Sequence, residues 1–176
     1  MYPFLRLGHH ASRARRAAPL PLDGVHVSRH ACLPWDLDPW VELNNGRTLT
    51  LYDLGRVPLM IRTGVHAALR REGWRLTVAG AQVRYRLRIR AFDRLEMRSA
   101  LIGRDARFLY VHQSLWRRAE ACWAAVFRKA VTGGRGIVPT DRVLEALGTP
   151  GWGPPLPDWV AAWSAAEALR PWPPVP

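Results

Sequence analysis

Lysine is almost missing from this chain. Lys129 is the only one, so nearly all of the 26 basic side chains are arginine. Cysteine is almost missing too: Cys32 and Cys122 stand far apart, with no C-x-x-C pair. That excludes a disulfide framework and a zinc ligand set, although a single Cys32–Cys122 bridge stays open. A reducing compartment fits such usage best, and a cytoplasmic location is expected. Long apolar runs are absent, so no transmembrane helix is expected. The start lacks the continuous apolar stretch of a secretory signal. It also lacks acid before Asp23. Residues 1–22 have some presequence character, but read best as a basic, partly ordered N-terminal arm.

What is present is enough apolar material for a core: 48% of 176 residues. The formal net charge of +12 favours anionic partners such as nucleic acid, acidic membrane or phosphorylated small molecules. No nucleic-acid recognition motif accompanies the charge. The nine tryptophans suit a core and an interface better than a stacking platform. His26 and His30, four apart on a strand, share a face but lie ~13 Å apart, too far for one metal.

The periodicity changes along the chain. "VHVSRHACL" reads as a strand. Residues 45–64 read as one helix buried on several sides, with Pro58 expected to kink or split it. Gly64 is a stop, and "HAALRREG" a short helical turn. In "VRYRLRIR" the period becomes two, with Val83, Tyr85, Leu87 and Ile89 opposite Arg84, Arg86, Arg88 and Arg90. "LEMRSALI", "RFLYVHQSLWR" and "ACWAAVFRKAV" continue as strands of an antiparallel meander. Gly133–Gly134 should end it. Two short helices follow, with Thr140 and Asp158 as expected caps, and "PWPPVP" stops the second. The expected divisions are 1–22, 23–136 and a helical, Pro-rich tail at 137–176. The fold class is α+β, one long helix in a curled sheet.

Chemistry concentrates in "DLDPWVELNN", residues 36–45. Pro39 disfavours helix at Asp38. Asn44 or Asn45 can cap the helix, whose first N–H groups lack intrahelical partners and carry partial positive charge. An oxyanion would be stabilised there. A carboxylate at Asp38 facing it is a workable site for hydrolysing an activated carbonyl such as a thioester. Turn formation and helix capping by Asp36 and Asp38 account for the same residues without chemistry.

The stretch Asp36-Leu37-Asp38-Pro39-Trp40-Val41-Glu42-Leu43-Asn44-Asn45 resembles the D-x-D-x-x-x-H-x-N-N signature of 4-hydroxybenzoyl-CoA thioesterase-like proteins. These form a branch of the hotdog superfamily. The likeness continues through Arg47, Leu49, Asp53 and Arg56, "GVHAALRREGW", the basic run 84–90 and "LIGRDARFLYVHQSLWR". It covers roughly residues 25–133. Within the branch it resembles the thioesterase superfamily member 6-like group, which also opens near "DLD" and "NN". The resemblance implies a hotdog fold, a curled antiparallel sheet around a central helix, and a homodimer or dimer of dimers. It implies acyl-CoA or acyl-carrier thioester substrates and hydrolysis, with no cofactor. By position Asp38 is the catalytic carboxylate and the Asn45 backbone N–H polarises the carbonyl. Glu42, Asn44 and Asp53 are expected around the substrate. Arg86 and Arg88 are candidates for the CoA phosphates, against the alternative of a solvated sheet face. Asp36 is expected to be structural. Glu42 stands where the signature has histidine, and on that departure rests the alternative of a non-catalytic acyl-CoA-binding hotdog protein.

Overall fold

The computed structural model describes residues 2–171 and 173–174. Met1 lies outside the described residues, as do Trp172, Val175 and Pro176 of the expected "PWPPVP" stop. In chain order the elements are α1 (Phe4–Arg16), β1 (His26–Ala31), a 3-10 turn (Pro34–Asp36), α2 (Asn45–Leu51), α3 (Asp53–Arg62), α4 (Val65–Arg71), β2 (Arg75–Tyr85), β3 (Arg94–Arg104), β4 (Phe108–Arg117), β5 (Glu120–Gly133), β6 (Gly136–Ile137), α5 (Thr140–Leu147) and α6 (Asp158–Ala168).

The strands pair antiparallel in the order β1-β3-β4-β5-β2, with β6 added to the end of β5. Side chains alternate across a strand. On β3, Leu95, Met97, Ser99 and Leu101 are therefore buried together on one face. That face curls around α2 and α3. Leu51, Tyr52 and Leu54 pack there with Met97, Leu115, Trp123 and Phe127. Leu59 continues the core towards α4 and α5 through Leu69, Val131 and Leu144. The opposite face carries α6, whose buried Val160 meets Tyr110 and Val126.

The long helix breaks at Tyr52 rather than at Pro58, which sits inside α3. Buried Leu54 and Leu59 flank the proline, and their packing holds the helix through the hydrogen bond that proline cannot make. At the break, the buried Gln113 side chain of β4 donates to the Tyr52 carbonyl at 2.9 Å and to Ser99 Oγ at 2.8 Å. Its Oε1 accepts from the buried Arg56 at 3.2 Å. Gly55 makes this close approach possible. A Cβ there would lie 2.5 Å from Met97 Sδ and 2.6 Å from Ser99 Oγ.

Four local expectations are corrected. The N-terminal stretch forms α1, which lies on α3 with Ala11 and Ala14 buried. The alternating run 83–90 is strand only to Tyr85, while β2 begins eight residues earlier than Val83, at Arg75. Thr140 is the first residue of α5, with Pro139 at the cap position, and its hydroxyl donates to the Asp105 carbonyl. Asp158 likewise lies inside α6 after Pro157. Pro139 and Pro157 each stand just before their helix with extended ψ, 141° and 140°. Cys32 and Cys122 are buried free thiols.

Candidate active site

The site begins with a tight turn. Leu37 and Leu43 form an isolated antiparallel bridge. Between them the Asp38 N–H donates to the Glu42 carbonyl at 2.8 Å, and the Val41 N–H to the Asp38 carbonyl at 3.0 Å. Pro39 sits at the turn's second position, where its fixed φ belongs. Val41 has φ 61°, the left-handed region that a β-branched side chain avoids. Such a residue costs on the order of 1–3 kcal/mol, a strain typical of functional loops. The result is a fixed Asp38. Its Oδ1 accepts from the backbone N–H of Trp40 at 2.9 Å and of Glu42 at 3.4 Å. Among the described residues Oδ2 has no hydrogen-bond partner.

Asp36, two residues earlier, is the opposite case. It is fully buried. Oδ2 accepts from Arg6 of α1 at 2.9 Å and from the Leu33 N–H at 3.1 Å, and Oδ1 from Arg47 of α2 at 2.7 Å. Its carbonyl accepts the Asn44 N–H at 2.9 Å. Asn44 then caps α2, accepting the Arg47 N–H at 2.9 Å. Asp36 therefore fixes where the helix starts. At that start the Asn45 N–H has no backbone partner among the described residues, as the first N–H of a helix must.

Asp38, Glu42, Asn45, Arg86 and Arg88 line one open cleft of about 320 Å³. Its apolar wall includes Tyr85, Leu87 and Trp123. The segment after β2 is hung over this cleft. The Arg86 and Leu87 N–H groups donate to the Cys122 carbonyl, Trp123 Nε1 donates to the Leu87 carbonyl at 2.7 Å, and the buried Ile89 offers its carbonyl to the Leu43 N–H at 2.8 Å. Arg86 and Arg88 thus reach the cleft rim from a loop, not from a strand face. Arg88 Nε lies 3.5 Å from a Glu42 carboxylate oxygen. Asn44 acts through the cap alone, outside the cleft lining. Asp53 is not brought to the cleft either. Its carboxylate is taken up by Arg56 and by the Tyr2 hydroxyl, the latter at 3.0 Å.

Neither thiol is activated as a nucleophile. Burial, then Asp36 and Asp93, push Cys32 up to about 11, and burial raises Cys122. Sequence reasoning missed Arg6 as a partner of Asp36, since nothing local links α1 to the loop. It also missed Tyr85 and Trp123 as a cleft wall. Their side-by-side position follows from the β2–β5 register, which opposes them. Among the described residues no cluster of three or more His, Cys, Asp or Glu side chains is arranged to hold a metal.

A curled antiparallel sheet closed on a central helix, with a carboxylate turn leading into that helix, defines the hotdog thioesterase class. The chain belongs to the thioesterase-like superfamily, whose pattern matches residues 32–164. It is similar to the Xenopus laevis protein THEM6, at 35% identity over 81 residues, 46% of this chain and 39% of that protein. The matched part thus spans about two fifths of that relative's length. Among solved structures it is similar to YbaW, a probable thioesterase from Escherichia coli, with TM-score 0.65 and 14% identity over 70% of this chain and 97% of that one. It is also similar to the DHNA-CoA thioesterase from Staphylococcus aureus, with TM-score 0.59 and 12% identity over 82% of this chain and 92% of that one. At such identities these structures speak for the fold alone.

Proposed function

We propose that this protein hydrolyses acyl thioesters, carried on CoA or on an acyl carrier, in the Asp38 cleft. One observation carries the reading. Asp38 is held by two backbone amides through one oxygen and shares its cleft with Asn45, and among the described residues neither its other oxygen nor the Asn45 backbone N–H has a hydrogen-bond partner. In the proposed step the thioester carbonyl oxygen accepts the Asn45 N–H at the helix start. Asp38 drives addition either as base, taking a proton from the attacking water and later returning it to solvent, or as nucleophile, forming an acyl anhydride that water then hydrolyses to regenerate the carboxylate. In either route the C–S bond breaks, and the thiolate leaves and takes a proton from solvent. With water as net reactant, acid and thiol are released and no cofactor is consumed. Arg86 and Arg88 at the rim are suited to the CoA phosphates, and Tyr85, Leu87 and Trp123 to the acyl or pantetheine chain. The open edge of β2 supports assembly as a homodimer or dimer of dimers. A cytoplasmic location is in keeping with two free thiols.

The test is a hydrolysis panel over short, long and aromatic acyl-CoAs. Turnover by the intact chain should fall about 10²–10⁴-fold in Asp38→Asn, with the fold kept. A second reading is an acyl-CoA-binding protein without turnover. The Glu42–Arg88 contact favours it, because it puts a second carboxylate in the cleft where the family signature has histidine. Saturable acyl-CoA binding with no hydrolysis across the panel selects that reading.

A further inference from the structure

The sheet face turned away from α2 and α3 holds a second cleft, of about 330 Å³, which the proposed chemistry does not use. The strand register places its lining on one face. Gln82 of β2, Val126 of β5 and His112 of β4 stand opposite one another in one row across the sheet. Arg84 and Ala124 stand opposite each other two residues away, in the next row on the same face. Ala124 and Val126 make a short floor between β2 and β4, which run roughly 10 Å apart. Val160 seats α6 on Tyr110 and Val126, and the neighbouring Trp159, 52% exposed, adds an indole to the lining.

The decisive group is His112. It is half-buried, and among the described residues neither ring nitrogen has a hydrogen-bond partner. Its neighbours across the strands, Ala100 and Val126, are apolar and supply none. Neither nitrogen is sealed from solvent, unlike Nε2 of His26 and Nδ1 of His30, and the ring lines the cleft. Burial holds its pKa below the ordinary value, so the ring is neutral at physiological pH and offers one donor and one acceptor. Across Val126, the exposed Gln82 amide offers donors and an acceptor. Arg84 is exposed and has neither ion pair nor hydrogen bond among the described residues, and no carboxylate is described in the lining.

From this geometry we infer that the outer cleft binds a small flat aromatic carboxylate. Its ring lies on Ala124 and Val126 against the Trp159 indole, where an aromatic pair gains more than simple burial. Its carboxylate takes the Arg84 fork, which matches two coplanar oxygens. His112 and Gln82 hydrogen-bond the polar groups at its edge. One unpaired cation suits a monoanion, and a volume at the small end for ligand clefts suits one or two rings. Arg84 and Tyr85 are consecutive on β2 and face opposite ways, so this ligand sits back to back with the wall of the Asp38 cleft without entering it.

Calorimetric titration of the intact chain with 2-naphthoate at fixed ionic strength tests this, with 2-naphthamide, cyclohexanecarboxylate and 2-naphthyl phosphate as comparison probes. Expected is saturable binding of 2-naphthoate, with the His112 ring resonances shifting along the same isotherm. Removing the charge, in 2-naphthamide, or the flat ring, in cyclohexanecarboxylate, should weaken binding at least tenfold. Arg84→Gln and Trp159→Ala change exposed side chains, so the fold is kept, and each should also weaken it at least tenfold. Arg75→Gln, at the far end of the same strand, should leave it unchanged. Absence of saturable binding, tighter binding of 2-naphthyl phosphate, or binding that survives Arg84→Gln but falls in Arg88→Ala of the Asp38 cleft overturns the assignment. Sedimentation alongside detects the rival occupant: if a second copy covers this face, binding falls as the chain assembles, and that result overturns it too.

Discussion

Asp36→Asn should damage this protein far more than a lost turn would. The carboxylate is fully buried and takes three hydrogen bonds, two of them from guanidinium groups at 2.9 and 2.7 Å. Asparagine keeps the shape but removes the charge, and its amide NH2 must face a donor. Breaking a buried pair by removing one partner typically costs ~3–5 kcal/mol, because the other charge is left uncompensated. The Arg6 and Arg47 side chains retain 20% and 15% exposure. Some rehydration follows, which lowers the expected loss to about 2–4 kcal/mol. For a chain of this size each kcal/mol moves Tm by roughly 2–4 °C, so the midpoint should fall by about 5–15 °C. Urea unfolding with unchanged m is the assay. Arg6→Ala, which cuts the tie from α1 to the loop, should expose α1 to protease first. The double variant should be less destabilised than the sum of the two, since the sites share one interaction. A loss under ~1 kcal/mol, the magnitude of an exposed pair, would refute the view that Asp36 anchors the loop and the helix start.

The other expectations are simpler. Gly55→Ala places a methyl inside contact distance of Met97 and Ser99, and should cost about 1–3 kcal/mol by overpacking, read by urea midpoint. The double variant Arg86→Ala/Arg88→Ala should raise KM for acyl-CoA and leave a pantetheine thioester, which lacks the nucleotide, unaffected; equal effects would remove those arginines from phosphate binding. Acid should weaken the fold through three histidines. Burial, foremost, and nearby positive groups push His10 and His26 down to about 4 and His30 to about 3, from an ordinary 6.5. The unfolded chain then binds more protons than the folded one below pH ~6.5, so stability falls as pH drops from ~6.5 towards ~4 and levels only near ~3. A flat urea midpoint between pH 7 and pH 5 would contradict the burial of those rings.

The sheet and its wrapped helix were legible because both carry strong periods. On β3, β4 and β5 one face or both is buried, and a residue shifted by one position would turn its apolar set to solvent. The first part of β2 was missed for the converse reason. "RLTVAGAQ" is an edge strand, mostly exposed, with a register slip between Val78 and Gly80. No alternation survives there to be read. The run 86–90 shows the opposite error. Its period of two comes from one deeply buried residue, Ile89, flanked by exposed arginines, and a tethered loop yields the same pattern as a strand.

Two aspartates separated by one leucine look equivalent in sequence, and only tertiary placement tells them apart. Asp36 is surrounded because Arg6 arrives from a helix thirty residues upstream and Arg47 from the helix downstream. No local rule links an arginine in a basic stretch to a carboxylate in a turn. Asp38 keeps a free oxygen because Pro39 and the left-handed Val41 turn the chain back at once, and the returning amides reach Oδ1. The turn reading and the catalytic reading of this carboxylate are therefore compatible. The same two amides that complete the turn hold the side chain still, and a side chain held by its turn can face the cleft without spending binding energy on its own orientation. On the proposed reading, turn chemistry at Asp38 positions the reactive carboxylate, while charge pairing at Asp36 fixes the helix start in the same cleft.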